Sequence, residues 1–320
     1  MIKTISVTDI PGFQIGQAEN QEAATGVTVI LAQDSAPAGM DIRGGGPASR
    51  ETGLLDPIAA CDAVNAVVLS GGSAYGLNCA GGVMRYLEER GIGFQTEYGC
   101  VPLVCASCIF DLGVGDPKVR PDEDMAYQAC VNAPNFKEGN YGAGTGATVG
   151  KAAGSAFMMN SGIGSAAVQV GDLMVGAIVA VNALGDIYDP VTGRKLAGQL
   201  SKEGTLDASS EDTLIAMAEQ LAPHANTTIG VILTNAQFDK TMLTKIAGMG
   251  HDGMARAIRP VHTMFDGDTL YALSGGHVPA DVNVVGALAA KVTAQAIDHA
   301  VLHTTPLYGL KCAADFIKEK

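Results

Sequence analysis

The sequence predicts an α/β fold with a large core, on three observations. Apolar strand-like runs alternate with helix-like stretches across glycine turns. Hydrophobic residues fill 47% of the 320 positions and charged residues only 17%, which implies much interior and little solvated surface, or subunits that cover one another. No linker-like change in composition divides the chain, so residues 1–320 read as one large domain. The 41 glycines, 8 phenylalanines and absent tryptophan point to close backbone approach and small-residue packing.

Residues 1–34 hold two strand-like pieces, the second being Thr25–Ala32. Arg43-Gly44-Gly45-Gly46-Pro47 follows as a loop whose backbone must pass close to something. Asn65–Ser70 reads as a buried strand, Gly71-Gly72-Ser73 as a turn, and Ala74–Arg90 as a helix stopped by Gly91, with Leu77, Val83, Met84 and Leu87 as its apolar stripe. The turn lacks the G-x-G-x-x-G pattern and an acidic ribose partner, so packing of helix on sheet explains it better than a nucleotide. Val101–Gly113 is another strand leaving into a loop. Its Cys105 and Cys108 lie three apart and face opposite sides of a strand, with no second Cys/His pair to complete a zinc site.

Gly142–Lys151 approaches a phosphate loop but fails where Thr145 and Ala152 stand. Lys151 itself, among small uncharged residues, is read as partly desolvated with altered proton affinity, against the alternative of a solvated loop lysine. Two apolar strands, Ser165–Val170 and Leu173–Val181, then join through Gly171-Asp172, and Asn182 at the second strand's end can point into a cleft. Residues 191–225 are more polar and read as an exposed, flexible connection with a short helix at Glu211–Leu221.

From Thr228 onward, Thr228, Gly230 and Thr234 alternate with Ile229, Val231 and Leu233, the period of a half-buried strand. Thr227 and Thr228 stand at its entrance. A threonine can attack the carbonyl before it and, once freed, carry nucleophile and amine base in one residue. Thr-Thr also begins many ordinary strands, and spacing alone does not choose between the two threonines. Beyond it, Phe238–Ile258 reads as a helix or helix pair broken at Gly248 and Gly250, carrying His251 and Asp252. Asp266-Gly267-Asp268 makes a two-carboxylate turn before the next strand, without the remaining ligands of a calcium loop. In the last helix, Asp281–His303, His299 and His303 have the spacing of zinc helices but no Glu between them, so a plain face is expected. Neither metal nor cofactor is expected.

The net charge of −13, with thinly scattered Lys and Arg, argues against nucleic acid as a partner. No apolar run is long enough for a membrane span, and the start Met1-Ile2-Lys3-Thr4-Ile5-Ser6 lacks a signal-peptide core. The seven cysteines, odd in number and irregular in spacing, suit buried free thiols in a reducing compartment; a cytoplasmic protein is expected.

Several stretches together resemble one family. Arg43–Pro47, Leu69–Leu77, Asn226–Gly230, His251–Ile258 and Phe265–Asp268 are similar to the DmpA-type aminopeptidases, which include β-peptidyl aminopeptidases and the nylon-oligomer (aminohexanoate-oligomer) hydrolase. The resemblance covers nearly the whole chain in order. It implies a four-layer αββα sandwich and a precursor that cuts itself between Asn226 and Thr227, leaving pieces of 226 and 94 residues. Matched position by position, it implies Thr227 as nucleophile, Lys151 beside the amine, Asn182 at the oxyanion, and Asp266 with Asp268 behind the nucleophile.

Its further implication is hydrolysis of small peptides or amide-linked oligomers, in homo-oligomers of processed heterodimers. Where the aminopeptidase branch has a Glu, and two positions later an aromatic residue, this chain has Cys108 and Phe110, which places it nearer the nylon-hydrolase branch. Two alternatives stand beside this reading. One is an acyltransferase resembling ornithine acetyltransferase; the other is an unprocessed, non-catalytic binding relative.

Overall fold

The computed structural model describes residues 1–217 and 226–317. Ten strands form the main sheet: β1 Ile2–Ile5, β2 Phe13–Asn20, β3 Thr25–Ile42, β4 Ser49–Arg50, β5 Ala63–Ser70, β6 Val104–Cys108, β7 Ile163–Val170, β8 Leu173–Asn182, β9 Thr227–Ala236 and β10 Thr269–Val278. Among the described residues five α-helices accompany them: α1 Cys79–Glu88, α2 Glu123–Asn132, α3 Ser210–Ala216, α4 Lys240–Ala257 and α5 Val282–Leu302. The strand order is β1-β7-β8-β9-β10-β3-β5-β6-β4, with β2 also paired to β3.

The long strand β3 turns this order into two layers. Its first part, Thr25–Ala32, pairs with β2 and, over Val27–Leu31, with β5; its last part, Ala38–Ile42, pairs with β10. Register shifts between Leu31 and Ala36, so the chain passes from one sheet to the other there. Ile15, Ile30, Val67 and Leu69 of one sheet meet Ile178, Ile229, Val231 and Tyr271 of the other in a single apolar cluster. A second cluster joins the outer face of β8–β10 to α4 and α5 through Val179, Ile232, Leu270, Ile246, Val292 and Ile297. A third joins β3, β5 and β6 to α1 and α2 through Val29, Val68, Ala106, Val83 and Ala126. Three cores between four layers make the αββα sandwich that the family resemblance implies.

Several elements differ from their sequence reading, each for a packing reason. β9 is buried along all ten residues, not half-buried. Ile229, Val231 and Leu233 face the inter-sheet core while Ile232, one residue out of phase, faces the helices, so both faces are covered. The alternating small and polar residues on the helix side are contact points, not solvent contacts.

α4 runs unbroken through Gly248 and Gly250. A β-carbon on Gly250 would stand 2.5 Å from Ile232 Cδ1, and one on Gly253 would stand 2.2 Å from the Ala290 carbonyl of α5. Those glycines let the helix sit close to sheet and helix rather than ending it. The stretch after Gly72 begins as a 3₁₀ turn, Ser73–Asn78, and α1 starts only at Cys79. There, Gly76 comes so near that its β-carbon would lie 2.0 Å from the Gly71 carbonyl.

Residues 191–217 are only partly exposed, because Lys195–Ala197 forms a strand whose Leu196 and Ala197 are buried. The connection expected beyond Met217, including the rest of the Glu211–Leu221 helix, lies outside the described residues. Among the described residues no helix is long and apolar enough to cross a membrane.

Candidate active site

The site gathers where β9 begins. Thr227 is its first residue and pairs across to Asn182, the last residue of β8. On the other side β10 runs parallel, so the loop leading into it, Pro260–Asp268, arrives at the same end. Asn226 bridges to Asp266 of that loop. The glycine loop after β3 then closes over it. A β-carbon on Gly44 would lie 2.3 Å from the Asp266 carbonyl and from the Asp268 amide nitrogen, and the Gly46 N–H donates to the Asp266 carbonyl at 2.8 Å. The close approach expected of Arg43–Pro47 is thus made against the two-carboxylate turn.

Thr227 is 4% exposed, and its hydroxyl donates to the Asn226 carbonyl oxygen. That oxygen also accepts the Gly267 N–H at 3.0 Å, while the Asn226 N–H donates to Phe265 at 2.9 Å. The carbonyl before Thr227 is therefore held on one side by the hydroxyl and on the other by a backbone donor. Only glycine fits at 267, since a β-carbon there would stand 2.8 Å from Thr227 Oγ1 and 2.7 Å from the Gly46 carbonyl. Residue-type reasoning misses this donor because no side chain carries it.

The charged groups lie around this carbonyl. Lys151 Nζ donates to Asn182 Oδ1 at 2.8 Å and to the Asn182 carbonyl at 3.0 Å. Burial pulls its ammonium down to about 7, against the opposing pull of Asp266 and Asp111. Asp266 is pushed up to about 6 by burial and by the neighbouring charge of Asp268; it accepts the Leu184 N–H at 3.2 Å and the Thr263 hydroxyl. Asp268 accepts the Thr228 N–H at 2.8 Å. Asp111 is a further carboxylate that the sequence reading did not single out. It accepts the Gly72 N–H at 2.7 Å and the Thr25 hydroxyl at 2.6 Å, which gives the Gly71-Gly72 turn its function.

Asn182 Nδ2 donates to the Phe110 carbonyl at 3.0 Å, and its Oδ1 also accepts the Thr148 N–H at 3.1 Å. The amide nitrogen thus has one of its two N–H groups on the Phe110 carbonyl and a second left to donate.

Two cavities meet at this point. One of ≈ 130 Å³ is lined by Thr227, Ser73, Cys108, Phe110, Met264 and Phe265, and one of ≈ 320 Å³ by Phe110, Thr148, Lys151, Met158 and Asn226. Burial pushes the Cys108 thiol well up, so it lines the pocket as a neutral group. Cys105 points away from it toward the Glu51 carbonyl. His299 and His303 lie elsewhere, on α5. His303 binds Glu138, and His299 Nδ1 lies 2.6 Å from the Ser165 carbonyl. Among the described residues no three His, Cys, Asp or Glu side chains converge as a metal centre.

The sequence profile described as peptidase family S58 matches residues 6–313. The chain belongs to peptidase family S58. Within reach of this S58 chain, an uncharacterized aminopeptidase of Mycobacterium tuberculosis is 38% identical, with 97% of each chain covered. The 6-aminohexanoate-oligomer endohydrolase of a Kocuria species is 32% identical over 90% of this chain and 84% of its own. In structure, the L-aminopeptidase D-Ala-esterase/amidase of Ochrobactrum anthropi superposes with a TM-score of 0.71 at 19% identity, covering 96% of this chain and 90% of that one. A β-aminopeptidase of a Burkholderia species gives 0.69 at 17% identity over 97% and 90%. The fold is that variant of the N-terminal-nucleophile hydrolase fold, and the S58 protein is a hydrolase of amide bonds.

Proposed function

We propose that the chain cuts itself between Asn226 and Thr227 and that the freed Thr227 then hydrolyses amide bonds of small peptides or amide-linked oligomers. The carrying observation is the Thr227 hydroxyl set beside a carbonyl whose oxygen the Gly267 N–H already holds at 3.0 Å. In the first step the Oγ–C bond forms and the Asn226–Thr227 C–N bond breaks. The hydroxyl proton ends on the departing amine, and water then hydrolyses the ester to leave an Asn226 carboxylate. Charge developing on the carbonyl oxygen falls on the Gly267 donor, which is aligned before the reaction starts.

In the processed enzyme the Thr227 amine, with an ordinary pKa of about 7.7–8.0, takes the hydroxyl proton. A Lys151 with its proton affinity lowered to about 7 favours the neutral amine; Asp266 and Asp268 orient it, and Asn182 supplies the oxyanion donor. The neutral lining of the smaller cavity, with Cys108 and Phe110, supports acyl groups without a free amine to recognise. The name of the Kocuria relative supports amide-linked oligomers, and that of the Mycobacterium tuberculosis relative supports peptides.

We further infer one catalytic unit of residues 1–226 and 227–320, assembled in homo-oligomers in the cytoplasm. Apolar side chains left exposed at Ile58, Phe94, Tyr98 and Val101 support the assembly, and free cysteines support the compartment. A denaturing gel with intact masses tests the reading. Wild type gives two fragments meeting at Asn226/Thr227, and Thr227→Ala stays whole and inactive. An intact wild type with full amidase activity would sink it.

A further inference from the structure

The loop before β10 turns one more side chain onto the carboxylate pair. His262 Nδ1 lies 2.8 Å from Asp268 Oδ2, and the His262 backbone N–H donates to the same oxygen at 3.1 Å. The other oxygen, Oδ1, accepts the Thr228 N–H. Three N–H groups thus hold a carboxylate that is 1% exposed. His262 also has φ +59, a left-handed backbone that costs a β-carbon residue energy and that the surrounding loop must enforce.

We propose that His262 is a positioning residue that fixes the orientation of Asp268 behind Thr227. The inference rests on the reading of Thr227 as the nucleophile.

The charges around the ring favour this assignment. His251 of α4 packs edge-on against it, with ring centroids 4.8 Å apart, and burial holds His251 down to about 4, so it adds no charge. Beyond His251, Asp41 and Arg43 at the end of β3 answer each other at 2.9 Å. Asp266 lies on the same loop and is turned to Leu184 and Thr263. Asp268 is therefore the charge that faces His262. The Nδ1 atom next to it donates to the carboxylate, while Nε2 is buried without a hydrogen-bond partner.

The two carboxylates thereby differ in how they are held. Asp266 has no such ring; Asp268 is held by three donors next to the scissile bond.

The test follows self-cleavage of the full chain made by cell-free synthesis, timed on denaturing gels across pH. His262→Leu removes the ring donor; His262→Asn keeps an N–H at about the place of Nδ1. In His262→Leu, cleavage slows roughly 10- to 100-fold, the effect of losing a hydrogen bond to a charged group. In His262→Asn the rate stays within about threefold of wild type, because the donor to the carboxylate is kept.

A folded His262→Leu that cleaves at the wild-type rate across pH overturns the inference. A folded His262→Asn as slow as the leucine variant does the same, and so does loss of folding in His262→Asn, which would assign the ring to the fold alone. If Thr227→Ala is itself cleaved, the nucleophile reading fails and this inference falls with it.

Discussion

Lys151 carries the sharpest electrostatic consequence at the scale of single residues. Its ammonium is brought from an ordinary 10.5 to about 7 by burial, so the folded chain binds fewer protons than the unfolded one between those values. The lysine therefore destabilises the fold fully below pH 7, and the penalty fades as pH rises toward 10.5. Lys151→Met is expected to raise the unfolding midpoint by roughly 2–6 °C at pH 6.5, with a smaller gain at pH 9.5, while stopping self-cleavage. Melting curves at the two pH values check this; a gain that grows with pH contradicts it. Gly267→Ala is expected to slow self-cleavage by roughly 100-fold, seen as uncut chain on a gel, because the β-carbon displaces Thr227 Oγ1 from the held carbonyl. Lys151 was legible in the sequence because its neighbours from Gly142 to Gly150 carry no charge. Asp111 and Gly267 were not. The role of Asp111 depends on a turn that is distant in sequence, and Gly267 acts through its backbone alone.

At the scale of elements, the glycines of α4 separate propensity from packing. Alanine is worth about 1 kcal/mol over glycine in a helix. At Gly253 that gain meets a β-carbon 2.2 Å from the Ala290 carbonyl and 2.9 Å from Thr293 Cβ, and overpacking of this kind costs roughly 1–3 kcal/mol. Gly253→Ala is expected to lower the melting midpoint. Gly248→Ala, whose nearest neighbour is the movable Asp41 carboxylate at 3.0 Å, should leave it unchanged or slightly raised. Equal effects at both positions would contradict the packing account. In the sequence Gly248 and Gly250 look like breaks, because what they approach, Asp41 of β3 and Ile232 of β9, is distant along the chain. β9 was readable as a strand for a related reason: its period of two is local. Its second buried face was not readable, since that face is covered by helices that come later in the chain.

At the scale of the whole molecule, the proposed cut would leave β9 as the first element of the shorter piece, hydrogen-bonded to β8 of the longer piece on one side and to its own β10 on the other. Ten fully buried residues then hold the two pieces together. The fragments are expected to elute as one species in size-exclusion chromatography and to part only in denaturant; separation in plain buffer would contradict this. The α/β class and most strands were legible from composition and period. The four layers were not, because they depend on β3 bending between sheets and on pairings such as Thr269 with Ile42. They were reached only through the family resemblance.

The Asn226 carbonyl takes its hydroxyl from one side of the proposed cut and sits near a lysine from the other, while its N–H donor and both carboxylates come from the loop before β10. Apart from the Thr227 hydroxyl, none of these groups is near the bond in an extended chain. Under the proposed cut, a newly made polypeptide would therefore have no exposed reactive amine-hydroxyl terminus until all four layers have closed. Activation would then be a proofreading step, in which a copy that misfolds stays inert toward the amide bonds of its neighbours.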